Sequence, residues 1–381
     1  MVRKLDGFCT GCGACAAKCM KGAIHISQDR EGFYKAVIQD EKCVRCGLCE
    51  KACPMLYESE RMGPIAAFVG RSKDSSILTE SSSGGIFPLL ARSIIEYGGY
   101  VFGCAWGEDL SACHVEISTI AQIPRLSKSK YVQSKIGNMF VDVKNRLTEG
   151  KPVLFSGTPC QVAGLKNYLS KEYENLITVD FICHGVPSPL AFQKYIMEKE
   201  MQYGAKVDRV VFRDKTKGWK ELCIRIEFTD GSVYSLPAAK DVYYRAFLSN
   251  LSLNEVCGRC VFNSLPRTSD ITLGDFWGVE KYHESFADNK GVSCIVVNSE
   301  KGRNLVNCIQ AELQMEETVP EKILQGNPFL NGHCTLHKRR KKFFELLQKE
   351  PFGIATAKCL KPTAWEWFIE VARYKLGLNR S

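Results

Sequence analysis

The spacing of apolar residues divides the chain into a short first segment and a longer second one. In the first 54 residues, two brief strand-like runs lie among polar and small residues, at Ile24–Ile26 and Phe33–Ile38. From Ile65 onward the apolar runs are longer and alternate between a strand-like and a helix-like period. The polar linker Glu58–Pro64 separates the two patterns.

Alternating strands and helices predict an α/β body for the second segment. Strands are predicted at Ile65–Gly70, Tyr100–Ala105, His114–Ile117, Val153–Phe155, Ile177–Cys183, Val207–Phe212, Cys223–Phe228 and Ser232–Leu236. Helices are predicted at Ile86–Tyr97 and Cys160–Leu169. Because Asp230-Gly231 is a hairpin signal, we expect a mixed sheet. The predicted organisation is an α+β ferredoxin-like domain at 1–60, an α/β body at 61–330, and a basic helical C-terminal region at 331–381.

Composition agrees with a folded protein of two or three domains. Of 381 residues, 45% are hydrophobic and 24% charged, which excludes a mainly disordered chain. The net charge of +9 favours acidic partners or phosphorylated cofactors, but no nucleic-acid signature accompanies it, so no nucleic-acid partner is expected. No apolar run approaches the roughly 18 residues of a membrane span, and none precedes Cys9, so we expect a cytoplasmic location.

Nineteen cysteines are distributed unevenly, with eight in the first 53 residues. Those eight form two copies of Cys-x2-Cys-x2-Cys-x3-Cys, the spacing of bacterial two-cluster ferredoxins. Three closely spaced thiolates wrap one face of a cubane cluster, whereas the fourth begins a helix and ligates the other cluster. The predicted [4Fe-4S] ligands are Cys9, Cys12, Cys15 and Cys53 for one centre, and Cys43, Cys46, Cys49 and Cys19 for the other. Structural zinc is the alternative, although its sites usually combine two cysteine pairs.

Four of the remaining cysteines lie in contexts that favour a third metal site. Cys160 follows a predicted strand at a strand-to-helix turn, and Cys183 ends another strand. Cys257 and Cys260 form a further Cys-x2-Cys pair in a stretch without a helical pattern. Because α/β folds place their sites where strands end at one sheet edge, these thiols are candidates for a third [4Fe-4S] cluster. A redox disulfide between Cys257 and Cys260 is the alternative.

Several polar segments suit a phosphorylated, planar cofactor. Ser81–Gly85 precedes a predicted helix, where hydroxyls and glycine amides bind a pyrophosphate; an ordinary helix N-cap is the alternative. Ser127–Ser134 combines cations, hydroxyls and an aromatic ring, and Phe212–Trp219 is similar, although both are solvated loops in the alternative interpretation. Gly274–Gly278 is a tight aromatic turn that suits either such a site or core packing.

A histidine is the candidate for proton transfer. His184 follows Cys183 at a predicted strand end, where it is placed to act as a general acid. The alternative is a residue that hydrogen-bonds its own loop, since no base partner is visible in the sequence.

The C-terminal region contains a basic run followed by apolar residues, Lys338–Lys342 and Phe343–Leu347. A helix with this pattern contacts a membrane surface or an acidic partner, or else forms a solvated face. Further on, Thr363–Glu366 has the pattern of a capping box that opens a last helix.

The order of these motifs resembles the coenzyme F420 hydrogenase/dehydrogenase beta-subunit family, in the form with a fused N-terminal two-cluster ferredoxin domain. The resemblance spans nearly the whole chain and rests on Ser82–Gly85, Ser129–Gln133, Gly157–Gln161, Cys183–Ser188, Cys257 with Cys260, and Gly274–Gly278. It implies FAD and a body [4Fe-4S] cluster, with the ligands Cys160, Cys183, Cys257 and Cys260. It also implies flavin contacts among Ser82, Ser83, Gly84, Gly85, Ser129, Lys130, Tyr131, Thr158 and Gln161.

Together, the cysteine motifs and the resemblance predict an iron–sulfur flavoprotein oxidoreductase with His184 as its candidate catalytic residue. The clusters exchange electrons with a ferredoxin or another redox protein, and FAD exchanges a hydride equivalent with an organic substrate or reduced coenzyme. The alternative is an electron-transfer subunit that is not catalytic alone and serves a separate partner enzyme. Peripheral membrane contact through the basic C-terminal segment is a further expected interaction.

Overall fold

The computed structural model describes residues 8–360, so the predicted capping box at Thr363–Glu366 lies outside the described residues. The strands are β1 (Ile24–Gln28), β2 (Tyr34–Ile38), β3 (Ala66–Ser72), β4 (Tyr100–Trp106), β5 (Ala112–Ile117), β6 (Val153–Ser156), β7 (Leu176–Phe181), β8 (Val207–Asp214), β9 (Cys223–Phe228), β10 (Val233–Pro237), β11 (Ile271–Asp275), β12 (Ser293–Val297) and β13 (Leu313–Thr318).

The α-helices are α1 (Ala14–Lys18), α2 (Leu48–Lys51), α3 (Ser75–Thr79), α4 (Ile86–Glu96), α5 (Ile123–Leu126), α6 (Met139–Thr148), α7 (Pro159–Leu169), α8 (Pro189–Tyr203), α9 (Val242–Leu248), α10 (Glu300–Ile309), α11 (Pro320–Gly326), α12 (Arg340–Leu347) and α13 (Phe352–Leu360). Short 3₁₀ helices lie at Asp40–Lys42, Ile120–Gln122, Glu255–Arg259, Val279–Lys281, Glu284–Phe286, Gln310–Glu312 and Pro328–Leu330.

The N-terminal domain is built from one antiparallel hairpin and two short helices. β1 pairs with β2 in the register Ile24↔Ile38, which confirms both predicted strands, with β2 beginning at Tyr34. α1 and α2 each follow a glycine in the left-handed conformation, Gly13 (φ 82°) and Gly47 (φ 76°). A larger residue is strained there, so glycine permits each cysteine loop to turn into its helix. The ferredoxin-like topology of this domain stays a prediction.

The body contains an eight-stranded mixed sheet in the order β13-β3-β12-β11-β7-β6-β4-β5. The central strands β4, β6, β7 and β11 are parallel, and antiparallel strands flank them. Val153, Leu154 and Phe155 of β6 are fully buried, because a central parallel strand is covered on both faces. The mixed α/β prediction is confirmed, and the carboxyl ends of four parallel strands meet at one edge.

Three strands of this sheet, β11 to β13, are absent from the sequence prediction. β11 contains threonine, glycine and aspartate, so its apolar signal is weak. β12 is a continuous buried run, which periodicity alone does not distinguish from a buried helix. β13 lies at the sheet edge, where Glu316 and Glu317 are exposed and the apolar alternation is incomplete.

A second, three-stranded antiparallel sheet has the order β10-β9-β8. The predicted hairpin turn joins β9 to β10: Gly231 has φ 85°, and the carboxylate of Asp230 accepts a hydrogen bond from Ser232 N (2.9 Å). The apolar face of this sheet packs against α8, α9, α12 and α13 in an aromatic core that includes Phe212 and Tyr243. This core positions the C-terminal helices over the body.

The basic run Lys338–Lys342 is partly incorporated into the fold. The Arg340 side chain is 8% exposed, forms an ion pair with the carboxylate of Glu31, and donates to Leu253 O (2.6 Å). The apolar residues of α12 are buried in the aromatic core: Phe343, Phe344 and Leu347. The apolar face of α12 is therefore occupied within the protein and not available to a membrane. Within residues 8–360, no helix is long and apolar enough to cross a bilayer.

Buried polar contacts join the N-terminal domain to the body. The side-chain amide of Gln133 accepts from Tyr34 N (2.8 Å) and donates to Thr10 O (3.1 Å). Lys18 Nζ donates to Tyr168 O (2.9 Å) at the end of α7. These contacts fix the position of the domain against the sheet edge, whereas the boundaries at residues 60 and 330 stay predictions.

The ion pair between Arg340 and Glu31 generates a stability prediction. We expect Arg340→Ala to reduce the free energy of unfolding by about 2–3 kcal/mol, because it leaves Leu253 O and the Glu31 carboxylate without their partner. Lys341→Ala, at the adjacent exposed position, is the control and should change stability by less than about 0.5 kcal/mol. Denaturant unfolding measures both, and equal midpoints for the two variants would contradict the expectation.

Candidate functional site

One predicted ligand set of the N-terminal domain surrounds a common cavity. Its walls include the thiols of Cys9, Cys12, Cys15 and Cys53. The structure therefore brings together the three cysteines of the first motif copy and the last cysteine of the second. We call this the inner site.

The second ligand set lies nearer the surface. Cys46 is exposed, whereas Cys19, Cys43 and Cys49 are half-buried. α1 packs against α2, which brings the two cysteine motifs together. We call this set the outer site, and its joint coordination of one cluster stays a prediction.

The four body cysteines also line one cavity. Cys160 lies in the first turn of α7 after β6, and Cys183 follows the neighbouring parallel strand β7. Cys257 and Cys260 are brought to them by the 3₁₀ helix Glu255–Arg259. All four side chains are free thiols on the cavity wall, which we call the body site.

The chemistry of these sulfurs fits an iron–sulfur cluster. Burial raises the pKa of Cys160 and Cys257 to about 12, and the thiol of Cys260 adds to both shifts. Burial likewise raises the pKa of Cys183, to which Cys257 and Cys160 contribute. Four mutually repelling buried thiolates need positive charge between them, and a bound metal cluster supplies it. Within residues 8–360, no three potential ligands are arranged to hold a single metal ion.

The inner site and the body site are neighbours. Thr10 lines both cavities, and the Cys160 thiol raises the pKa of Cys12 after burial and Cys53. Gly164 of α7 lies directly against Cys12, since a Cβ on it would stand 2.8 Å from the Cys12 sulfur. Helix α7 therefore begins at the body site and continues along the inner site.

Thr158 and Gln161 organise the cysteine loop of the body site. They form a capping box at the start of α7, in which Thr158 N donates to the Gln161 side-chain oxygen (2.9 Å). The Thr158 hydroxyl lies 3.1 Å from the Cys160 sulfur. The structure thus places both residues beside the thiols, and a flavin contact for either stays a prediction.

His184 lies on the wall of the body site. Its Nε2 donates to the side-chain oxygen of Asn250 (2.5 Å), and its ring lies against Phe247 and Phe329. Burial lowers its pKa, which the hydrogen bond to Asn250 partly opposes. A neutral, positioned imidazole agrees better with the loop-bonding alternative than with a general acid.

The Ser82–Gly85 segment connects β3 and α4 at the same sheet edge. The Ser82 hydroxyl accepts from Ser129 N (2.8 Å), which joins two of the predicted flavin segments. The Ser83 hydroxyl donates to Val292 O (2.8 Å), and Gly84 N donates to the Ser293 hydroxyl (2.9 Å). Gly85 precedes α4 with a φ of 77°. Much of this segment is therefore bonded internally to β12 and its preceding loop.

Cations lie beside this segment. Arg213 donates to the carbonyl of Ser82 (3.1 Å) and to both carboxylate oxygens of Asp275 (2.6 and 2.9 Å). Lys215 Nζ donates to Ser83 O (2.6 Å), and burial lowers its pKa to about 8. Trp219 also donates to Asp275 (2.8 Å). The structure joins Phe212–Trp219 and Gly274–Gly278, two segments that the sequence pattern left as separate candidates.

Lys130 and Tyr131 are directed into the fold. Lys130 Nζ donates to the carbonyls of Arg125, Ser127 and Lys128, and burial lowers its pKa to about 8. The Tyr131 ring stacks on Phe247 with centroids 4.6 Å apart. Neither side chain belongs to a solvated loop, and their contact with a flavin stays a prediction.

Family models match two parts of the chain. Residues 150–322 match the model for the C terminus of the coenzyme F420 hydrogenase/dehydrogenase beta subunit, and residues 8–56 match a 4Fe-4S dicluster domain. The chain belongs to the coenzyme F420 hydrogenase/dehydrogenase beta-subunit family. The resemblance inferred from the motifs is thus confirmed, and so are [4Fe-4S] clusters as cofactors of an oxidoreductase-related iron–sulfur protein.

Individual relatives of this family member come from Methanosarcina and Methanocaldococcus. The F subunit of F(420)H(2) dehydrogenase from Methanosarcina mazei is 21% identical over 337 residues, covering 84% of this chain and 87% of that protein. The iron-sulfur protein of CoB–CoM heterodisulfide reductase that carries the letter A, from Methanocaldococcus jannaschii, is 30% identical over 104 residues. That match covers 22% of this chain, which spans only 16% of that relative.

A solved structure of the F420-reducing [NiFe] hydrogenase complex from Methanosarcina barkeri contains a similar chain. The two chains are 17% identical, and the alignment covers 78% of this chain and 91% of that one with a TM-score of 0.48.

The contact between Gly164 and Cys12 generates a prediction against helix propensity. An alanine inside a helix normally stabilises it by about 1 kcal/mol relative to glycine. We expect Gly164→Ala instead to lower iron content and thermal stability, because its Cβ displaces the Cys12 sulfur. Lys166→Ala on the same helix is the control and should retain wild-type iron. Unchanged iron with a higher melting temperature for Gly164→Ala would contradict the expected clash.

Proposed function

We propose that this protein is an iron–sulfur flavoprotein oxidoreductase in which electrons move between the outer, inner and body sites and a flavin. The observation that carries the proposal is the body site, where four cysteines distant in sequence line one cavity next to the inner site. When bound, the clusters supply one-electron transfer, and FAD supplies the exchange of electron pairs with an organic substrate.

The order of the sites follows from exposure and proximity. The outer site contains the exposed Cys46, so it is the one within reach of a partner protein. The inner site is buried and shares Thr10 with the body site. The proposed ligands of the body cluster are Cys160, Cys183, Cys257 and Cys260. This arrangement leads from the protein surface into the α/β body.

The proposed flavin region lies at the sheet edge beside the body site. Its support is the meeting of Ser82 with Ser129, with Arg213 and Lys215 beside them. Hydroxyls and cations of this kind bind phosphate groups. The proposed contacts remain Ser82, Ser83, Gly84, Gly85, Ser129, Lys130, Tyr131, Thr158 and Gln161. His184 remains a candidate catalytic residue, with its positioning role favoured by the bond to Asn250.

An electron-transfer subunit without independent catalysis is the second candidate function. The relative that covers most of this chain is itself one component of a dehydrogenase with several subunits. The exposed apolar side chains Met20 (86%) and Val44 (61%) follow two of the outer-site cysteines and suit contact with a redox partner protein. The organic substrate would then be bound by that partner.

Anaerobic purification with iron, sulfide and flavin analysis tests the proposal. We expect about twelve irons, from three clusters of four, and one FAD per chain. About eight irons without flavin would overturn it. A flavin-containing monomer that is photoreduced and then reduces small oxidants supports the enzyme, whereas activity that requires a co-purifying protein supports the electron-transfer role.

The proposed ligation of the body cluster predicts the effect of a single substitution. We expect Cys160→Ser to lower iron content by about four atoms per chain and to leave the two N-terminal clusters in place. Cys308→Ser, at an exposed cysteine of α10, is the matched control and should retain all iron. Iron analysis with low-temperature EPR measures both, and wild-type iron content in Cys160→Ser would contradict the ligand assignment.

A further inference from the structure

A lysine of the N-terminal domain lies between the inner site and the body site. Lys35 is on β2, and its Nζ donates to Cys9 O (2.7 Å) and to the side-chain oxygen of Asn254 (2.9 Å). Cys9 belongs to the inner site, whereas Asn254 immediately precedes the 3₁₀ helix that carries Cys257. One ammonium group therefore joins the two cysteine sites directly.

Asn254 connects this ammonium group to both arms of the body site. Its backbone N–H donates to Val186 O (2.9 Å), in the loop that follows Cys183, and its carbonyl accepts from Cys257 N (3.0 Å). Asn254 is 1% exposed, so the lysine reaches a buried part of the body. A change at Lys35 therefore acts on the cysteine loops through two hydrogen bonds.

The surroundings of Lys35 leave its charge directed at the sulfurs. Burial lowers the pKa of Lys35, while the facing thiols of Cys9 and Cys257 and the carboxyl of Asp29 oppose that shift. The hydrogen-bond partners of its Nζ are neutral oxygens, and within residues 8–360 no carboxylate forms an ion pair with it. Arg340 adds a second positive charge nearby, but its guanidinium is paired with Glu31.

We propose that Lys35 is a positioning residue whose fixed positive charge raises the reduction potentials of the inner and body clusters together and holds the two sites adjacent. This inference rests on the proposed three-cluster function. Reduction adds negative charge to a cluster, so a nearby cation stabilises the reduced form. The effect is larger in a protein interior than in water because the charge is poorly screened there.

Redox titration of the anaerobically purified full chain, followed by EPR, tests the proposal. We expect Lys35→Met to decrease the equilibrium constant for reduction at the inner and body sites about tenfold, equal to about 59 mV for one electron. The outer cluster should keep its potential. Lys35→Gln, which keeps a hydrogen-bond donor but not the charge, should show the same shift. Cys160→Ser and Cys46→Ser assign the body and outer signals.

The matched control is another lysine that joins the same two parts of the protein. Lys18 Nζ also makes two interdomain hydrogen bonds, to Tyr168 O (2.9 Å) and the Ser170 hydroxyl (2.8 Å). We expect Lys18→Met to lower thermal stability as much as Lys35→Met does, with the inner and body potentials unchanged. Equal potentials in wild type and Lys35→Met would show a purely structural link and overturn the proposal.

Iron analysis separates this inference from the function on which it rests. About twelve irons with unchanged potentials in Lys35→Met overturn the role of Lys35 and leave the three-cluster function intact. About eight irons in the wild type overturn both, because the body site then holds no cluster for the lysine to act on. A uniform shift at all three clusters would also overturn the proposal, since it assigns the effect to two of them.

Discussion

Negative charge gathered on buried sulfur is the constraint on which the rest of this structure depends. Thiols withdrawn from water resist ionisation, and neighbouring thiols increase that resistance, as the raised pKa values at Cys160, Cys183 and Cys257 illustrate. A protein that assembles such groups must bring positive charge and hydrogen-bond donors to the same place. The N-terminal domain supplies one such donor, Lys35, so its docking and the electrostatics of the body site are a single problem.

The sheet topology solves the geometric part of that problem. Parallel strands β6 and β7 deliver Cys160 and Cys183 to one edge, because the carboxyl ends of parallel strands point the same way. The same edge receives the Ser82–Gly85 segment after β3 and Asp275 at the end of β11. Residues far apart in sequence thereby become neighbours without unusual backbone conformations, and the remaining two cysteines come from one short 3₁₀ helix.

Local sequence patterns predicted the features that depend on local geometry. The eight N-terminal cysteines could be assigned in advance because ligand spacing within a few residues is fixed by the chain itself. Candidate status for Cys160 and Cys183 followed from strand ends, and the hairpin at Asp230-Gly231 from turn chemistry. β11 to β13 were missed because their apolar patterns are weak or ambiguous. The dicluster domain and the family were confirmed by independent matches.

Long-range polar contacts had no comparable signal. Lys35, Gln133 and Glu31 are ordinary in sequence, and their partners lie about 100 to 300 residues away, so only the folded chain reveals what they do. The basic run at Lys338–Lys342 was informative about charge but not about its use, since Arg340 is directed inward while its neighbours face solvent. The hydroxyls of Ser82–Gly85 likewise had visible chemistry and invisible partners.

The ion pair between Glu31 and Arg340 has a consequence for how the protein is made. A ribosome releases Glu31 early and Arg340 near the end of synthesis, so this final connection forms only when almost the whole chain has emerged. Until then the N-terminal cysteine domain lacks its last attachment to the body. Cluster delivery to the inner site can therefore precede closure, and the late-arriving helix α12 acts as a latch that encloses iron already inserted.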